Sequence, residues 1–177
     1  MPKQIKRKSK RLEPQKSIDN IYTQCILTHS VSIAPKYFNT NFKERVYYKL
    51  KKLEGACLGE GYIKKNSIEI LSIKENTFDI FNFSGTTIVN VEFKADVCNP
   101  IVNSKINCYV ESINEFGIKA TVNKDKNDDS PLYILITKEH NNEKLNDIKI
   151  GNKLTTKIIG KKYNLYDSSI FVIGLII

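Results

Sequence analysis

Residues 87–122, TIVNVEFKADVCNPIVNSKINCYVESINEFGIKATV, decide the fold. In the first eleven, Thr87, Val89, Val91, Phe93, Ala95 and Val97 share one face of an extended chain, while Ile88, Asn90, Glu92, Lys94 and Asp96 share the other. Side chains alternate across a strand, so this pattern predicts a half-buried strand. Asn99-Pro100 is a turn signal and a domain boundary. Period two then resumes, with Ile106, Cys108 and Val110 facing in and Lys105, Asn107, Tyr109 and Glu111 facing out. Asn114-Glu115-Phe116-Gly117 makes a tight connection to a second strand, whose inner face is Ile118, Ala120 and Val122.

Downstream everything reads as strand. After a polar loop, NKDKNDDS at 123–130, come strands over Leu132–Ile136, Lys153–Tyr163 and Ser169–Ile177, with a short helix expected over His140–Asp147. Five short strands with a helical link between the third and fourth is the order of a Greek-key OB barrel. The terminal run Ile170–Ile177 reads as its closing strand, because eight apolar residues fall far short of the ~20 that cross a bilayer as a helix.

Upstream, Tyr22–Ile33 predicts a strand ended by Pro35. Phe42, Val46, Leu50 and Leu53 then form an apolar stripe on a helix expected to pack on the 87–97 strand. Asn41 and Glu44 resemble a capping pair at its start, and Gly55 stands where a C-terminal cap belongs. Past Gly59 and Gly61 the period returns to two at Ile68–Ile73, with Phe78-Asp79-Ile80-Phe81 after a polar break. The expected fold class is therefore an α+β N-terminal domain over 21–98, a helix packed on an antiparallel sheet, followed by an all-β OB barrel over 99–177.

The net charge of +9 is unevenly spread. Residues 1–16 hold seven basic groups against one acidic one, while the remaining 161 residues carry 21 basic and 18 acidic groups. The tail, 1–20, is expected to be disordered, since it has little apolar surface to offset the entropy of ordering. Lys6-Arg7-Lys8-Ser9-Lys10-Arg11 suits a nuclear-import address, a phosphate-binding arm or a solubilising terminus. The chain uses 25 Lys, 25 Ile and 18 Asn but only three Arg and no Trp, a bias that suggests an AT-rich coding genome.

No parts of an active site are recognisable: there is no phosphate-binding loop, no Gly-x-Ser-x-Gly, no His-Glu-x-x-His and no dinucleotide fingerprint. Cys25, Cys57, Cys98 and Cys108 lack metal-ligand spacing and read as small reduced hydrophobes. Asp125, Asp128 and Asp129 miss the calcium-loop spacing, and the sequon at Asn82 has no secretory context. The chain is expected to be non-catalytic by itself and without cofactor, metal or membrane. A barrel of this kind binds flexible strands through basic grooves and exposed aromatics. On the pleat, Lys105, Tyr109, Lys119 and Tyr133 point outward, and the fourth strand adds Lys153, Lys157, Lys161, Lys162 and Tyr163. These nine are the candidate RNA-binding residues.

Four segments resemble the stalk subunit of multisubunit DNA-dependent RNA polymerases, the seventh subunit of eukaryotic RNA polymerase II and its archaeal E counterpart. They are Leu53-Glu54-Gly55-Ala56-Cys57 with Gly61-Tyr62-Ile63; Val91–Val97 leading to Pro100; Val110–Ile118 with Pro131-Leu132; and Ile170-Phe171-Val172-Ile173-Gly174. Their order and spacing carry the resemblance, which runs from about Ile21 to the end. The interval from Cys57 to Gly61 is one residue shorter than in the family, loop 123–130 is longer, the 137–153 connection is shorter, and the basic tail has no counterpart. Asn103 stands where the family has a glycine, and asparagine also tolerates a left-handed backbone. The resemblance implies a non-catalytic polymerase subunit that docks on the large subunits beside the clamp, pairs with a small helical partner and contacts nascent RNA. Phe38, Gly61, Tyr62 and Ile63 are the docking candidates it suggests. It implies a site of action where transcription occurs: the nucleus, or host cytoplasm or virion for a large DNA virus. The competing reading is a free-standing OB-fold RNA-binding factor in translation or RNA decay.

Overall fold

The computed structural model describes residues 21–37, 41–78, 86–123, 130–141 and 148–177, with side chains described outside 75–78. The basic tail, Phe38, Asp79–Phe81, the sequon at Asn82, Asp125, Asp128, Asp129 and the 142–147 part of the expected helix lie outside them. The described chain is mostly β: an antiparallel sheet with one packed helix, then a closed five-stranded barrel.

The sheet is organised around β5 (Thr87–Cys98), whose inner residues Val89, Val91 and Phe93 are fully buried as the alternation requires. β1 (Tyr22–Ile33) pairs antiparallel along its whole length, from Tyr22 opposite Cys98 to Ile33 opposite Thr87. On the other edge β4 (Glu69–Phe78) covers Thr87–Lys94, continuing through the expected polar break with a register shift between Lys74 and Asn76. The short strands β2 (Cys57–Leu58) and β3 (Gly61–Ile63) complete that edge, with Tyr62 opposite Cys98.

A 3-10 turn (Pro35–Tyr37) leads to α1 (Phe42–Lys51), which buries Val46 and Leu50 in the core shared with Val31, Val91 and Phe93. Its stripe shares that core with both β1 and β5, and its nearest backbone approach to the sheet is at β1, where Lys49 donates to the Ser32 carbonyl. The Asn41 side chain makes no capping hydrogen bond, so its half of the expected capping pair does not form. The helix is capped at Lys52 rather than at Gly55; Gly55 takes a left-handed conformation in the turn beyond, where its N–H donates to the Ile63 carbonyl of β3.

The barrel strands are β6 (Lys105–Asn114), β7 (Gly117–Thr121), β8 (Leu132–Thr137), β9 (Lys153–Lys162) and β10 (Ile170–Ile176). β6 pairs with β7 and β7 with β8, both antiparallel; β8 is parallel to β10, which returns antiparallel to β9, and β9 closes on β6. This order is compatible with an OB fold. Ile106, Cys108, Ile118, Ile134, Ile158, Ile170 and Val172 fill the interior. The Asn114 side-chain carbonyl accepts the Phe116 and Gly117 N–H groups and so fixes the first hairpin. Asn103 has φ of +73°, so asparagine does supply the left-handed turn before β6.

A four-residue helix, α2 (Lys138–Asn141), follows β8 and is locked by Asn141, which donates to the Thr137 carbonyl and accepts the Ile176 N–H. No described helix is long and apolar enough to cross a membrane.

Sheet and barrel share apolar packing. Cys57, Tyr62 and Cys98 belong to the barrel's core rather than to the core beneath α1. The loop between β9 and β10 is latched to the same place: Cys57 N–H donates to Asp167 O, Tyr166 N–H to Cys57 O, and the Tyr163 hydroxyl to Gly59 O. Burial pushes the Cys57 thiol up to about 11 and the Cys98 thiol to about 12, and raises that of Cys108. An unfolded chain sheds these protons near pH 9, whereas the fold holds them. Their contribution to stability is thus complete below pH 9 and is lost as pH climbs through about 11 to 12. At neutral pH a thiol reagent is expected to modify the half-buried Cys25 while leaving the three buried thiols untouched. Mass spectrometry of the native, alkylated protein checks this: more than one adduct per chain would contradict the packing.

Candidate nucleic-acid interface

The outer barrel surface follows from the pleat and from two bulges. Along β6 and β9 the outward residues meet in register: Lys105 opposite Lys157, Asn107 opposite Thr155, and Tyr109 opposite Lys153. The Thr155 hydroxyl donates to Asn107 Oδ1 at 2.9 Å, tying the two strands between the charged pairs. Like charges directly opposite each other weaken a sheet, yet no described residue forms an ion pair with Lys105, Lys153 or Lys157. Three uncompensated cations and a tyrosine thus lie along one strip.

β9 carries an extra residue at Ile159, since Gly160 pairs with Ile173 but Ile158 with Gly174. A bulge reverses the alternation. Beyond it Lys162 faces outward opposite Phe171, while Lys161 turns to the sheet and donates to Asn99 Oδ1, and Tyr163 packs on the barrel core with its hydroxyl on Gly59. Burial raises the Tyr163 phenol above its ordinary value. Of the four β9 candidates, then, Lys153, Lys157 and Lys162 lie on the outer face, whereas Lys161 and the next residue past the strand, Tyr163, hold the junction.

A second bulge at Glu111 sets Lys119 against an acid. Its ammonium lies 2.9–3.0 Å from the two Glu111 carboxylate oxygens and 4.9 Å from the centre of the Tyr133 ring. The Tyr133 ring in turn lies 4.9 Å from that of Phe171, tilted by 44°. Phe171 is 53% exposed. Sequence reading treated Phe171 only as part of a closing strand. The signal was present, because Ile170 and Val172 fill the interior and pleat parity alone sends Phe171 outward.

Three of the four polymerase-docking candidates are not surface groups. Gly61, Tyr62 and Ile63 are all buried, Tyr62 with 2% of its surface exposed, and Phe38 lies outside the described residues. Gly61 is required by geometry: its φ is +133°, and a Cβ there would stand 2.4 Å from the Cys98 carbonyl oxygen. Among the described residues, no three His, Cys, Asp or Glu side chains come together as metal ligands would.

The arrangement can hold a polyanion along Lys105, Lys153, Lys157 and Lys162 and offers Tyr109, Tyr133 and Phe171 as stacking surfaces. A scan against protein-family models finds no match to this chain, and a search among curated proteins finds none either.

Proposed function

We propose that the chain is a non-catalytic, RNA-contacting subunit of a DNA-directed RNA polymerase, with an OB-fold barrel at its carboxyl end. The observation that carries the RNA reading is the register of Lys105 on Lys157 and Tyr109 on Lys153, a charge arrangement unfavourable to the free sheet and favourable once a phosphate backbone lies along it. The polymerase reading is supported by the order of the four stalk-like segments and by a strand order compatible with an OB barrel behind a helix-bearing sheet. RNA is held by backbone and stacking, without sequence readout.

Affinity purification of the full chain from its native cells tests the polymerase half. Large polymerase subunits and a small helical partner should accompany it, and recovery of the chain alone would overturn that assignment in favour of a free-standing RNA-binding factor. The role of Lys119 has a separate test. In Glu111→Gln its counter-charge is removed, so RNA affinity should rise about fourfold at about 0.15 M salt if the freed ammonium meets one phosphate. An unchanged gel-shift titration would take Lys119 out of the RNA path.

A further inference from the structure

On the sheet side of the molecule, far along the chain from the barrel strip, cations and tyrosine rings alternate across the outer surface of α1. Lys36 Nζ lies 5.1 Å from the centre of the Tyr37 ring, the Arg45 guanidinium 4.4 Å from Tyr37 and 5.4 Å from Tyr48, and Lys52 Nζ 5.0 Å from Tyr48. Positions 45, 48 and 52 follow helical spacing, on a stripe beside the buried one of Val46 and Leu50. The preceding 3-10 turn supplies Lys36 and Tyr37. Arg45 and its ring neighbours, with Tyr47 and Lys51, line a depression of about 450 Å³. This is within the size range of small-molecule sites. Tyr47 and Tyr48 are 43% and 52% exposed.

Among the described residues the Arg45 side chain finds no hydrogen-bond or ion-pair partner, and its Nε is shielded from solvent. A guanidinium offers five donors in a rigid fork suited to phosphate or carboxylate. Here that fork lies against two rings, and no described residue takes up its hydrogen-bonding capacity. The chain uses lysine for 25 of its 28 basic residues, and Arg45 is its sole arginine beyond Arg7 and Arg11 of the tail. The one acid lining the depression is Glu44.

We infer that this depression is a second nucleic-acid site, taking one nucleotide of a single strand: its phosphate on Arg45 and Lys51, its base against the exposed tyrosines. A base and a phosphate together use both halves of the surface. An acidic side chain of a protein would engage the cations and leave the aromatic walls uncovered, so the aromatic walls favour the nucleotide. Tyrosine faces accept any base, and the site is therefore sequence-tolerant.

The test uses the full chain with a single-stranded oligoribonucleotide containing 4-thiouridine. Photocrosslinking followed by peptide mapping should give adducts in the α1 peptide, at Tyr47 or Tyr48, besides those on the barrel. Arg45→Gln combined with Tyr48→Leu should weaken RNA binding about tenfold, and loss of one phosphate contact should lower the salt slope by about 0.7. Lys51→Gln, on an exposed side chain that leaves the helix intact, should lower that slope by itself. Arg45→Lys should retain the slope while losing part of the affinity, because the charge stays and the fork is gone. A circular-dichroism melt establishes that each variant is folded. Adducts confined to the barrel, or unchanged affinity in folded α1 variants, would overturn the site, as would tighter binding of a polyglutamate peptide than of RNA. Loss in a Lys105/Lys153/Lys157 variant but not in the α1 variants removes this site and leaves the barrel reading standing; the reverse pattern removes the barrel reading and leaves this one.

Discussion

Replacing Tyr62 by alanine is expected to destabilise the protein by about 3–5 kcal/mol, the range for truncating a buried aromatic side chain. Tyr62 retains 2% of its surface and packs with Cys57, Cys98 and the barrel's interior isoleucines, so its removal opens a cavity where sheet and barrel meet. Against a total stability of about 5–15 kcal/mol, that is a large fraction. A urea titration reads the effect as a lower midpoint at unchanged slope. Gly61→Ala should be damaging for a different reason, because its Cβ would collide with the Cys98 carbonyl oxygen and force apart the pairing of β3 with β5. Tyr62→Asp would additionally bury a carboxylate, so failure of that variant to join a polymerase would report a lost fold rather than a lost anchor. A Tyr62→Ala stability within about 1 kcal/mol of the parent would contradict this account.

What the chain alone discloses, and what it hides, divides along local and non-local lines. The alternation over Thr87–Val97 gives β5 its buried face residue by residue, and the Phe42–Val46–Leu50–Leu53 stripe gives α1 its orientation, since both depend only on the period of the element. Asn103 and Gly55 take left-handed backbones for reasons confined to one residue. The misreadings depend on other strands. Lys161 and Tyr163 leave the outer face because a bulge at Ile159 shifts β9 against β10, and Lys119 meets Glu111 because a bulge in β6 brings them level. The β9 bulge does carry a local mark, since Gly160 follows Ile159 and Gly174 lies across from it, and a glycine inside a strand signals a bulge; the β6 bulge is announced by neither glycine nor proline. The stacking of Tyr133 on Phe171 needs the parallel pairing of β8 with β10, a contact between residues 38 apart in sequence. Tyr62 is a docking candidate only through the family resemblance, and its burial comes from the barrel's core, a contact that its own short strand does not disclose.

The same register that hides some residues makes the barrel strip the most sensitive surface of the molecule. Lys105, Lys153 and Lys157 lie on two adjacent strands around one tyrosine with no described ion pair to any of them, so a single-stranded RNA laid along β6 and β9 meets all three. Each phosphate neutralised on a single strand contributes about 0.7 to the slope of log affinity against log salt. At about 0.15 M salt this is worth about fourfold per contact, hence about 50-fold for the three. The variant with all three changed to glutamine should therefore bind RNA about 50-fold more weakly, with a slope shallower by about 2 and little sequence dependence in the loss. Tyr109→Leu in the parent should cost affinity without altering the slope, since stacking releases no counterions. Its stability should hold, and that of the triple variant should not fall, because removing directly opposed like charges relieves the free sheet. Filter-binding titrations from low to moderate salt separate the two effects. Equal slopes for parent and triple variant would mean that these lysines meet no phosphate, and the barrel's outer face would then cease to be the RNA path.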